Sequence, residues 1–137
     1  MSELQTCLAF ADDNLPHAAV ARADIPENVT SKAALLVALA TQLGFPDYFG
    51  NNWDSFQECI RDLSWLPPGP VFVTHADVPL INDVPNAMTY VAILNDAARK
   101  MSRSEAHPLS VAFPLKHREQ VIWLLRAEKA RSKRSAD

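Results

Sequence analysis

Two short apolar runs, VFVTH (Val71–His75) and LSVAF (Leu109–Phe113), decide most of what this chain can fold into. Both are continuous rather than alternating, the pattern of strands buried on both faces in a parallel sheet. Between them, from about Val84 to Arg103, apolar residues return at helical spacing, with Met88, Val91, Leu94 and Ala98 facing inward. Strand, helix, strand in that order predicts a parallel pair joined by a right-handed crossover.

The rest of the chain extends this unit. QTCLAF (Gln5 to Phe10) and AAVARAD (Ala18 to Asp24) read as strands, with DDNLP as the break between them. A helix follows, capped by Thr30 or Ser31, carrying Leu35, Leu36, Leu39 and Leu43, and stopped by Gly44 and Pro46. A second helix is expected from about Asn52 to Leu63, with Trp53, Phe56, Ile60 and Leu63 as its apolar stripe. On that stripe Trp53 and Phe56 should both be mostly buried. The prolines of WLPPGP end it. A last helix, about Lys116 to Lys133, places Val121, Ile122 and Leu125 on one side and is expected to cover sheet surface left open by the others. AAVARAD, VFVTH and LSVAF then form three parallel strands. The N-terminal strand adds at an edge or makes a hairpin with the second.

At 137 residues the expectation is a single domain, 1–137. A charged fraction of 21% against 48% hydrophobic excludes a disordered chain. No apolar run approaches the eighteen or so residues of a membrane span. The N-terminal stretch has acids and no basic n-region, so it does not read as a signal peptide. Cys7 and Cys59, without C-x-x-C spacing, suggest buried thiols in a reducing compartment, with a single disulfide as the alternative. The expected location is the cytoplasm. Charge is uneven. Residues 116–137 hold seven of 13 basic and three of 16 acidic side chains, which leaves 6 basic against 13 acidic, a balance of −7, before them. An acidic body favours a cationic partner. The basic tail suits a helix C-terminus.

Most chemistry-bearing patterns are missing. Gly44, Gly50 and Gly69 are too few and too scattered for a phosphate-binding loop. His17, His75, His107 and His117 lack ligand spacing, so neither a metal nor a cofactor is expected. Cys59 has no local base and reads as packing. Asp54 and Glu58 stand out. One turn apart, they point the same way and away from the apolar stripe. They fit an acid/base pair or a solvated helix face. Tyr48, Phe49 and the Asn51-Asn52 turn precede them.

FPDYFGNNWDSFQECI, most strongly residues 45–60, resembles the signature of the barstar superfamily, intracellular inhibitors of the ribonuclease barnase. The likeness extends more weakly over about 18–113. It implies an α/β fold with a three-stranded parallel sheet and helices packed on it, here with an extra N-terminal strand and C-terminal helix. It implies a stoichiometric inhibitor or immunity protein that blocks a cationic ribonuclease toxin, not an enzyme, with no membrane and no direct nucleic-acid contact. The resemblance assigns partner binding to Tyr48, Asn52, Asp54, Glu58 and, in the third helix, Asp96. Glu58 stands where the archetype has aspartate, and Gln57 where it has tryptophan. Arg61 and Asp62 also depart from the family, and Arg61 is placed to neutralise Glu58 at i,i+3. The alternative function is nucleic-acid or ribosome association through the basic C-terminal helix. A small hydrolase using Asp54 and Glu58 is a third.

Overall fold

The computed structural model describes residues 6–11 and 19–135. Gln5, the DDNLP break, His17 and Ala18 lie outside the described residues. The elements are β1 (Ala9–Phe10), β2 (Ala21–Ile25), α1 (Lys32–Leu43), α2 (Trp53–Ile60), β3 (Val71–His75), α3 (Val84–Met101), β4 (Leu109–Phe113), a 3-10 turn (Leu115–His117) and α4 (Arg118–Ser135).

The strands form one sheet in the order β1-β4-β3-β2, parallel throughout. Val73 of β3 stands opposite Ala23 of β2 and Val111 of β4. The two apolar runs are therefore parallel neighbours, as their spacing predicts. The extra N-terminal strand adds at an edge, β1 joining β4 on the side remote from β2, so four strands pair in all. A hairpin with β2 does not form.

Strand alternation sorts side chains between faces. In β2, Ala23 and Ile25 are buried while Arg22 and Asp24 turn outward and pair with each other at 2.8 Å, and Asp24 also accepts a hydrogen bond from Thr74. The free edge of β2 is covered at Asp24. Its N–H donates to Gln42 Oε1 at 2.8 Å, and its carbonyl accepts from Gln42 Nε2 at 3.2 Å. This removes a site for unwanted strand pairing.

Ser31 caps α1, its hydroxyl accepting from the Ala34 N–H at 3.1 Å, and Gly44 closes it in the left-handed conformation. Leu35, Leu36, Leu39 and Leu43 are buried, as are Met88, Val91, Leu94 and Ala98 of α3. Gly69, at φ +148°, has Val20 where a Cβ would stand, 2.3 Å away, so no larger residue fits that turn. In α4, Val121 and Leu125 are buried with Leu124, while Ile122 is only half-buried. The helix packs chiefly on α3 rather than on open sheet. No helix among the described residues is long and apolar enough to cross a membrane.

Candidate functional site

The loop before α2 is rigid for local reasons. Phe45 makes edge contacts with Phe49 and Trp65, at centroid separations of 5.0 and 5.7 Å, and lies 6.2 Å from Phe56. Trp65 Nε1 donates to the Leu43 carbonyl at 3.0 Å. With Phe49 turned inward and its N–H bonded to the Pro46 carbonyl, Tyr48 is left 65% exposed at the loop's outer side. Asn51 adopts φ 54°, which asparagine tolerates better than most residues.

Asn52 is the N-cap of α2. Its Oδ1 accepts from the Ser55 N–H at 2.8 Å, and its Nδ2 donates to the Gly50 carbonyl at 3.2 Å. Ser55 Oγ accepts from the Gly50 N–H at 2.8 Å, closing the loop on the helix. The Asn52 side chain is thus occupied within the fold. Trp53 is mostly but not fully buried, packed against the core. Its indole N–H donates to Asn86 Oδ1 at 2.9 Å, and Lys32 sits over its ring, so it ties α2 to α3 at the surface. Phe56 is fully buried, stacked 6.0 Å from Tyr90.

The helix ends at Ile60, not Leu63. Leu63 takes φ 59°, folding back so that its side chain still enters the core. The apolar period continues past the helix itself, which is why spacing alone overruns the end.

Asp54 and Glu58 are exposed on one side of α2, and among the described residues neither makes a hydrogen bond or ion pair. With Gln57, Arg61, Asp62 and Lys100 they line an open groove of about 610 Å³ between α2 and the end of α3. Asp62 continues the i, i+4 series of Asp54 and Glu58, a signal present in the sequence but passed over. Lys100 carries no such signal, because only the packing of α3 beside α2 brings it in. Burial on the protein side and the nearby Cys59, Asp62 and Glu58 raise the Tyr48 hydroxyl above its ordinary pKa. Tyr48 therefore feels the same acids from the loop. Burial, then Asp62 and Glu58, also push the Cys59 thiol up, so it stays protonated and packs in the interior. Both cysteines are free thiols, Cys7 exposed.

Asp96 lies on α3 outside this lining. It sits 3.9 Å from Arg61 Nε and 3.7 Å from Arg99. The expected pairing of Arg61 with Glu58 does not occur, because α3 presents Asp96 on the other side. Of the five residues singled out, the structure brings Asp54 and Glu58 into the groove and puts Tyr48 beside it. It links Asp96 only through Arg61, and leaves Asn52 holding the helix start.

Among the basic residues of α4 whose side chains are described, Arg126 and Lys129 are exposed about one turn apart, while two others are engaged. Arg118 lies over the Phe10 ring, and Arg131 bonds Glu128 and Thr89. Trp123, at 57% exposed, is not core packing. Among the described residues no group of three or more His, Cys, Asp or Glu is arranged to hold a metal.

No curated protein and no solved structure is similar enough to the chain to count as a match. A family profile described as Barstar (barnase inhibitor) matches residues 19–114, the span from the start of β2 through β4 that contains the capped loop, α2 and the groove. The chain belongs to the barstar (barnase inhibitor) family.

Proposed function

We propose that the protein is a stoichiometric inhibitor, of the immunity type, that blocks the active site of a cationic ribonuclease toxin with the Tyr48 loop and the outer face of α2. The observation that carries this reading is the pair Asp54 and Glu58. Both are exposed and free of internal partners, on a helix whose start is fixed by a closed set of side-chain hydrogen bonds. A site built to hold RNA phosphates displays cations, and carboxylates fixed on a rigid helix imitate phosphates there. Charge complementarity speeds capture of the enzyme before it cuts RNA. Tyr48, exposed beside the acids, supplies a rigid aromatic anchor. Asp96 acts through Arg61, and Asn52 by shaping the loop. Such a toxin acts on cellular RNA, so the inhibitor works in the cytoplasm.

A hydrolytic role is disfavoured. Exposed carboxylates lack the apolar surroundings that equip a general acid. For nucleic-acid binding, Arg118 and Arg131 of α4 are engaged within the fold and Trp123 stands alone among the exposed aromatics of that helix, which gives less support than the acids of α2. The test is titration of barnase and other small cationic ribonucleases with the purified protein, following RNA cleavage. Loss of cleavage at a one-to-one ratio with at least one of them is expected. Persistent cleavage at excess inhibitor, or RNA cleavage by the chain itself, contradicts the proposal.

A further inference from the structure

The groove is not uniformly acidic. Asp54, Glu58 and Asp62 share it with Arg61 and Lys100. Neither cation is held in a close, hydrogen-bonded ion pair. Arg61 Nε is buried without a hydrogen bond, and its nearest carboxylate, Asp96 Oδ2, is 3.9 Å away. That distance orients the guanidinium but leaves Nε without a hydrogen bond. Lys100 Nζ has one long hydrogen bond, 3.4 Å, to the Arg61 carbonyl. A purely cationic target site closing on this groove would bury both against like charge, which disfavours binding strongly.

Resting on the inhibitor reading, we infer that Arg61 and Lys100 are specificity-determining residues that select a ribonuclease whose active site sets an anionic group, such as a carboxylate general base, beside its phosphate-binding cations. The target's cations meet Asp54 and Glu58, and its carboxylate meets the Arg61 fork and Lys100. RNA cleavage requires a base next to the phosphate site, so this mixture is ordinary chemistry for such an enzyme. Asp96 is then a positioning residue that holds Arg61 toward the groove.

The sign of one measurement decides this. Affinity and rate constants for barnase are measured with the full-length protein, Arg61→Met, Lys100→Met, the double variant and Asp54→Ala, with thermal melts confirming the folds. If the cations meet an anion, removing them weakens binding by about tenfold or more, through faster dissociation, although the groove has become more acidic. Arg61→Lys should recover part of the loss. Binding by the double variant but not the wild type overturns the inference, since the cations then only oppose a ribonuclease site. Equal or tighter binding by the double variant, while the wild type binds and Asp54→Ala weakens, overturns it and leaves the inhibitor reading standing. Absence of binding by every form counts against that reading and takes the inference with it.

Discussion

His75 ends β3 between two partners that suit one protonation state. Its Nδ1–H donates to the Ala112 carbonyl at 2.8 Å, and its Nε2 accepts from the Tyr90 hydroxyl at 2.6 Å, with the ring stacked on Phe113. Burial lowers its pKa to about 4, only partly opposed by the bond to Ala112. The unfolded chain takes up a proton near pH 6.5, and the folded chain does so only near 4. Stability is therefore highest above pH 6.5, falls as pH drops toward 4, and loses nothing more from this group below that. The slope is about 1.4 kcal/mol per pH unit, or roughly 3 kcal/mol in all. Urea unfolding of wild type and His75→Asn across pH 4–7.5 should show this slope in the wild type alone. Parallel curves would contradict the assignment. Sequence reading treats His75 only as the end of an apolar run, because its partners come from β4 and α3. The same blindness explains Arg61. Helical spacing sees Glu58 on its own element, but its counter-ion, Asp96, is supplied by α3. Asp54 and Glu58 were legible because one turn of one helix relates them.

At the scale of the element, α2 has eight residues, too few to be stable alone. It depends on its cap and on the aromatic floor beneath it. Asn52→Ala should cost about 1 kcal/mol of stability, read by chemical denaturation. An unchanged midpoint would mean that Asn52 does not hold the loop. Phe56→Ala removes a fully buried ring packed on Tyr90 and Phe45 and should cost on the order of 3–5 kcal/mol. Trp53→Ala should cost less, since that side chain is not fully buried. Retention of wild-type stability by Phe56→Ala would refute the account of the stripe. Helix existence and facing were readable from apolar period and cap chemistry. Where α2 ends was not, because Leu63 keeps the period while its backbone leaves the helix.

For the molecule as a whole, β1 and α4 extend the family unit without touching the groove. Val121, Leu124 and Leu125 belong to the core, so loss of all α4 should unfold the protein. Truncation after Ala130 removes only the exposed Arg131 pairings and the residues beyond, and should change stability by no more than about 1 kcal/mol. Inhibition should persist. Its loss from a folded truncated protein would place a working surface on the C-terminal turn. The parallel sheet was readable from two apolar runs and the helix between them. The two-residue β1 was not placed by its own sequence, since its partner and edge are chosen by the rest of the sheet. The measurement closest to the central claim is affinity for the inhibited ribonuclease beside thermal stability, for Asp54→Ala and Glu58→Ala together. Each should weaken binding by about 2–5 kcal/mol, since a cation of the partner is left buried and unpaired. Melting temperature should barely move, and binding of the wild type should slow as salt rises. Unchanged affinity in both variants would contradict the account and reduce the pair to a solvated helix face.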